Sequence, residues 1–502
     1  TRPRDVEFGS LTDHLLHTDA GLVILQFGQA ESLDASQSLD AFSRAYAQLI
    51  DEVQRVTRRV LILSPLCFEE SHLRDGPDLL AKNARVREYR DAIAELAEMK
   101  QCLFVDLIAL QDRADADTLT RDGIHLHDRG QKWMAEAILG ALGMPAKANA
   151  SAALLRRGIQ QKNALWVRHY RPENYAFAFG DRAQVPFSEG RQFSSVSRIH
   201  AELVANCDEQ LNAMMQSGKV RELTFRAPPV FAHSQGLALT PEQEREAIQF
   251  SRGDLQANIF ASEEDGIINP VRMAWDERGR LWVVCLPDYP QADPGQAPAD
   301  YILICEDRDG DGRADRFTRF AEGLNLPGGL ALVDGGVYLA NGRKLVFLKD
   351  TNGDDKADTS EVILSGFGMG DTHQCINSVE LAIDGSLWFS QGLHIFSFVE
   401  TYGGVKRLFR SGLWRYNRHS GDLAPIFSNA KGGVNCWGIQ QDRWGNTFHV
   451  SGGNYRVYDT ELGLINNPSD DGPGIEGFAH EGGNKKCGAE IIESAHFPDD
   501  LQ

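Results

Sequence analysis

Three groups of residues in this sequence have types and spacings suited to chemistry. The first is Asp122 and His125, in the stretch TRDGIHLHDRGQKWMAEAI. A carboxylate three residues before an imidazole can orient that ring as a general base, which a serine hydroxyl needs because it is inert at its own pKa. The second is a pair of acidic loops. EDRDGDGRADRF carries Asp307, Asp309, Asp311 and Asp315, and KDTNGDDKADTS carries Asp350, Asn352, Asp354 and Asp358, at positions 1, 3, 5 and 9 in each case. Ca²⁺ takes about six to eight hard oxygen ligands, and alternate side chains in such a loop point inward. Neither loop has the bidentate Glu of an EF-hand, and the same residues also suit plain surface turns. The third is His373, just ahead of the run INSVELAIDGSLWFS, with Asn435 ahead of a second such run. A histidine so placed can take the proton of a substrate hydroxyl.

Each group has a plainer reading. Asp122 and His125 could staple a loop to the helix that follows. His373, and with it His394 and His449, could be satisfied structural groups, and Trp388, Trp437 and Trp444 core residues of a β region.

The elements that must position these residues follow from periodicity. Over residues 1–145 strands and helices alternate. Gly21 to Phe27, Val60 to Leu66 and Cys102 to Leu110 read as buried strands. Helical spacing recurs from Ser32 to Val56, through Val86, Tyr89, Ile93 and Leu96, and in a last helix through Trp133, Ile138 and Leu142 that Asp128 is placed to cap. Strands separated by such helices imply a parallel sheet with right-handed crossovers. Residues 146–235 read as a mostly helical connector. From 236 to 502 short strands and Gly-rich turns dominate, with a repeat: MAWDERGRLWVV, LALVDGGVYLA, VELAIDGSLWFS and IQQDRWGNTFHV. The turn residues Asp276, Asp334, Asp384 and Asp442 are 58, 50 and 58 residues apart, the period of a four-stranded propeller blade. A fifth copy would begin near HFPDD. The fold class expected is therefore multidomain: an α/β domain with a parallel sheet, then an all-β propeller, left incomplete in this chain.

Composition narrows the function. The 502 residues carry 51 Lys and Arg against 71 Asp and Glu, a net charge of −20. That balance disfavours a nucleic-acid partner, which needs a basic face. No apolar run approaches the ~18 residues of a membrane span. The eight cysteines include no C-x-x-C pair, so a zinc ribbon or haem attachment is not expected in this stretch. The chain opens on a polar stretch without Met and reads as a segment cut at both ends, with no signal peptide in view.

The D-x-x-H before the last helix of the α/β part resembles the final block of the SGNH (GDSL-like) hydrolases, a flavodoxin-like fold. The resemblance implies that His125 is the base and Asp122 its orienting partner. FGQAES is similar to that family's G-x-N-D block, which implies an oxyanion role for Gly28; Ala30 stands at the Asn place. The G-D-S nucleophile block is expected upstream of Thr1. The β region resembles the soluble quinoprotein glucose/sorbosone dehydrogenase propellers, of six-bladed type. That implies His373 as catalytic base and a contact of His373 and Asn435 with pyrroloquinoline quinone, although Val434 stands where an Arg would be. The order of parts, with QKNALWVRHYRPENY between them, is similar to a family of large membrane-bound dehydrogenases of Planctomycetes and Verrucomicrobia. That resemblance implies an extracytoplasmic setting, a haem c domain farther along, and a cytochrome domain or protein as electron acceptor.

Three functions are expected in this order. The first is a dehydrogenase oxidising a sugar or other alcohol at the propeller face, with a quinone acceptor and calcium. The second is a carbohydrate esterase using Asp122 and His125. The third is a non-catalytic propeller that binds glycan or protein.

Overall fold

A computed structural model describes residues 8–34, 36, 38–113, 118–144, 152–185, 193–225, 239–250, 252–428, 435–452 and 457–460. The chain divides into two units. The first comprises residues 1–152 together with 399–406 and 416–423, and the second comprises the remainder.

In the first unit the helices are α1 (Leu11–His17), α2 (Gln29–Leu33), α3 (Leu39–Gln54), α4 (Asn83–Met99), α5 (Leu107–Gln111) and α6 (Asp128–Ala141). The strands β1 (Val23–Gln26), β2 (Val60–Leu63) and β3 (Leu103–Val105) pair in parallel in the order β1-β2-β3, with Leu25 against Ile62 and Ile62 against Phe104. The middle strand is buried along its whole length, as a parallel strand covered on both faces must be. Tyr46, Ile50 and Val53 of α3 and Ile93, Leu96 and Ala97 of α4 pack with Leu25, Val60 and Ile62 into one core.

Three local readings change. The run Cys102 to Leu110 is not one strand, because Asp106 accepts the N–H of Ala109 and starts α5. The span Ser32 to Val56 is two helices, broken before Ser38, which caps α3. The cap of α6 is His127 rather than Asp128: its Nδ1 accepts N–H groups of Arg129 and Gly130, and its Nε2–H donates to Thr118 O at 2.7 Å.

The second unit opens with helices α7 (Ala152–Tyr170), α8 (Tyr175–Ala178), α9 (Phe193–Ser217) and α10 (Pro241–Ala247). The strands that follow are β4 (Pro270–Trp275), β5 (Leu281–Cys285), β6 (Asp300–Glu306), β7 (Arg316–Leu324), β8 (Pro327–Val333), β9 (Gly336–Asn341), β10 (Lys344–Lys349) and β11 (Thr359–Ser365). After them come β12 (Asn377–Leu381), β13 (Leu387–Gln391), β14 (Phe396–Thr401), β15 (Gly404–Phe409), β16 (Gly412–Tyr416), β17 (Leu423–Ser428), β18 (Cys436–Gln441), β19 (Thr447–Ser451) and β20 (Val457–Asp459). They form sheets ordered β4-β5-β6-β7, β11-β10-β9-β8, β12-β13-β16-β17 and β18-β19-β20, with β14-β15 a separate ribbon. The pairing is mostly antiparallel.

Each repeat copy is the hairpin that opens one sheet. In three of them the turn aspartate accepts backbone N–H groups two residues on: Asp276 from Arg278, Asp384 from Ser386, and Asp442 from Trp444. The fourth turn, at Asp334 and Gly335, uses left-handed backbone at both residues, which suits a two-residue hairpin turn. The copy expected near HFPDD, and Val434, lie outside the described residues. Trp388 is buried in the core of the third sheet, whereas Trp444 is exposed.

Among the described residues no helix is long and apolar enough to cross a membrane, and seven cysteines are free thiols.

Candidate active site

The loop before α6 is held from several sides. Thr120 pairs with Leu126 across an isolated antiparallel bridge. The Glu69 carboxylate accepts the N–H groups of Leu119 and Thr120, each at 2.8 Å, and the Thr120 hydroxyl. At the crest sits Gly123, with φ +89°; a Cβ there would lie 2.8 Å from Glu69 O and 2.6 Å from Leu79 Cδ1. Only glycine fits a left-handed position this crowded.

The crest brings Asp122 and His125 together. Asp122 Oδ1 accepts the N–H groups of Ile124 (3.0 Å) and His125 (2.7 Å), and Oδ2 accepts His125 Nδ1–H at 2.7 Å. Burial works to raise the Asp122 carboxyl. The His125 ring donor, its charge and the two backbone N–H groups outweigh burial and hold it below the usual carboxylate range. His125 moves the opposite way, up to about 9. Asp122 is the main cause and Glu400 the second, against burial. Glu400 Oε2 lies 3.7 Å from His125 Nε2. An imidazole with Nδ1–H fixed on a carboxylate leaves Nε2 for proton transfer, the arrangement a general base requires.

Gly28 lies at the end of β1 with φ +102°, and its N–H donates to Glu31 Oε2 at 2.8 Å. The expected oxyanion donor is thus already engaged. Next to it, Gln29 Nε2 donates to Ile124 O at 3.1 Å and ties this turn to the crest carrying the dyad.

His373 lines a cavity of about 330 Å³ in the second unit, with Tyr289, Arg272, Asn377, Ser378 and Trp437. Buried Asp371 takes His373 Nδ1–H at 2.9 Å, and His373 Nε2 meets the Tyr289 hydroxyl. Asn174, buried and left-handed, steadies the loop: its Oδ1 accepts from Thr372 N and Thr372 Oγ1, both at 2.9 Å. Asn435 does not join His373 in this lining. It is buried, and its Oδ1 accepts Leu393 N–H at 3.3 Å. Pyrroloquinoline quinone carries three carboxylates. Arg272 is the one guanidinium among the described lining residues, and it is ion-paired with Glu380. The residues present do not fit that group. His449 is buried and pushed down to about 3 by burial, with Nδ1 on Thr460 Oγ1, and the N–H of His394 donates to Gln374; both serve structure.

In the first acidic loop Asp307, Asp309 and Asp311 bring carboxylate oxygens within 4.8 Å of one another, a donor set that fits a hard divalent cation. Asp315 is outside that group. In the second loop Asp350 accepts the N–H groups of Asn352, Gly353 and Asp355, and the Asn352 and Asp354 side chains likewise cap loop N–H groups. Asp358 accepts from Thr351 N and Oγ1 and closes the turn.

Four residues at these sites carry no signal in the sequence. Glu69, Tyr289 and Glu400 reach their partners across long loops. Gln29 occupies a position read only for its neighbours. Asp371, two residues before His373, was open to the same short-range reasoning that picked out Asp122.

The GDSL-like Lipase/Acylhydrolase family matches residues 5–133, and a Domain of unknown function (DUF7133) matches residues 240–465. No curated protein matches the chain. Among solved structures, Axe2, an acetylxylan esterase from Geobacillus stearothermophilus, is 16% identical over 30% of this chain and 71% of its own, with a TM-score of 0.22. LAE5, an α/β hydrolase enzyme from the metagenome of Lake Arreo, Spain, is 20% identical over 29% of this chain and 70% of its own, with a TM-score of 0.22. The acetyl xylan esterase AlAXEase is 21% identical over 28% of this chain and 76% of its own, again with a TM-score of 0.22. The chain therefore joins an N-terminal GDSL-like lipase/acylhydrolase domain, of SGNH-like α/β fold, to a DUF7133 domain of mostly antiparallel sheets.

Proposed function

We propose that the first unit is an ester hydrolase in which His125 is the general base and Asp122 orients it and stabilises the imidazolium. One observation carries this reading: the 2.7 Å contact between Nδ1 and Oδ2, in a domain matched by the GDSL-like family. His125 would accept the proton of a nucleophilic serine, expected ahead of Thr1, and return it to the leaving alcohol. The substrate class is an acetyl ester of a sugar or polysaccharide fragment in an extracytoplasmic setting. The test is release of acetate from p-nitrophenyl acetate and acetylated xylo-oligosaccharides by the intact protein. His125→Ala should lower the rate at least ~100-fold; an unchanged rate would sink the proposal.

A second reading concerns the second unit, whose sheets we infer to be successive propeller blades. The hydrogen-bonded chain Asp371–His373–Tyr289 in its cavity favours proton transfer there, as alcohol oxidation requires. Dye-linked oxidation of sugars that vanishes in His373→Ala would support it. Saturable sugar binding without turnover would favour a binding module instead. Divalent cation binding at Asp307, Asp309 and Asp311 is part of this reading.

A further inference from the structure

We propose that Glu400 is a positioning residue of the first unit, clamping His125 from the side opposite Asp122 and so governing when the dyad can accept a proton from a nucleophile. The proposal rests on the ester hydrolase reading for its consequence but on geometry for its existence.

Glu400 lies 275 residues beyond His125 in the sequence, yet residues 399–406 belong to the first unit. Three contacts seat this segment within that unit. The Tyr402 hydroxyl donates to Asp122 O at 3.2 Å, on the dyad residue itself. Lys82 Nζ donates to Tyr402 O at 2.8 Å. The Tyr402 ring packs against the core of Leu33, Phe68, Leu79 and Ile124. Close by, Gly404, at φ +90°, approaches Asp34 so closely that a Cβ would meet Asp34 Cβ at 2.7 Å. Glu400 is thereby held with Oε2 at 3.7 Å from Nε2, too long for a good hydrogen bond and right for an ionic contact.

The consequence is chemical. With Nδ1–H on Asp122, a neutral ring would turn its Nε2 lone pair toward the Glu400 carboxylate, which is repulsive. A ring protonated on both nitrogens satisfies both carboxylates. The charged groups facing the pair are Asp122, Glu400 and Arg121, whose Nε lies 3.8 Å from Asp122 Oδ2. Two anions against one cation favour the imidazolium, in line with the rise of His125 to about 9. An imidazolium cannot act as a base. His125 becomes one only when the solution is alkaline or when Glu400 is neutralised or moved away, for example by a substrate that occupies its place.

The experiment is a heteronuclear NMR titration of the His125 ring in the intact protein and in Glu400→Gln, with Glu400→Asp as the charge-retaining comparison. The glutamine variant should lower the His125 midpoint by about one pH unit, the low end for an opposite charge at this range because both side chains are partly exposed. Glu400→Asp should keep most of the wild-type value. In parallel, the acid limb of acetyl ester hydrolysis should move toward neutral pH by a matching amount in Glu400→Gln. An unshifted midpoint, with hydrolysis intact, overturns the clamp and leaves the hydrolase reading standing. A shifted midpoint in a protein that hydrolyses no ester overturns the hydrolase reading and leaves the clamp standing. Circular dichroism of each variant separates a titration effect from misfolding.

Discussion

Raising the pH from about 6 to about 9.5 is expected to weaken the first unit through His125. In an unfolded chain the ring titrates near 6.5, and in the folded one Asp122 and Glu400 hold it up to about 9. A histidine raised on folding stabilises fully below 6.5, and that stabilisation is lost as pH rises through 9. At about 1.4 kcal/mol per pH unit the interval sets a ceiling of roughly 3 kcal/mol. The side chain is 39% exposed, so solvent screening reduces this to about 1–2 kcal/mol. For a unit of this size that is a fall in melting temperature of about 3–6 °C. Asp122→Asn isolates the cause. Its Oδ1 can still accept the Ile124 and His125 N–H groups and keep the loop, while the charge is gone. The variant should therefore melt lower at pH 6 and lose most of the slope between pH 6.5 and 9. Asp122 acts on the other side: its depressed carboxyl stabilises above the unfolded value of 3.8 and loses that stabilisation as pH falls through its folded value. The assay is melting followed by fluorotryptophan NMR. Trp133 is the one tryptophan of the first unit, so its signal reports that unit alone. A wild-type slope that persists unchanged in Asp122→Asn would refute the reasoning.

Gly123→Ala should destabilise the first unit by about 2–4 kcal/mol, because it adds a left-handed strain to overlap with Glu69 O and Leu79; the same Trp133 signal measures it. Calcium at 100 times its dissociation constant should stabilise the second unit by about 2.7 kcal/mol if the Asp307 loop binds it. The gain should vanish when Asp309 and Asp311 are both changed to Asn; a calorimetric scan unmoved by calcium would remove the ion from the proposed function.

Short-range pattern was a sound guide wherever one residue type dictates the local backbone. The alternation of VILQ, VLIL and their intervening helices marks a parallel sheet because a strand covered on both faces must be apolar throughout. D-x-x-H closes on itself within one turn, so the Asp122–His125 contact was legible from spacing alone. The Asp–Gly turns repeat because each needs the same side-chain cap and left-handed glycine. Readings failed where local capping outbid the apolar run, as at Asp106, and where residues inferred from resemblance had other partners, as at Asn435 and Gly28.

The residue types and spacings of this chain by themselves determined an α/β part with a histidine dyad, a repeated β part, and two acidic loops. Only the tertiary structure decided what those groups face. It set Glu400 against His125 across 275 residues of sequence, put Tyr289 on His373 across 84, and tied Arg272 to Glu380. The physical reason is common to all three. Charge and hydrogen-bond energies depend on distances of a few ångströms, and for residues far apart in sequence those distances are set by how the sheets and loops pack, not by the spacing of letters along the chain.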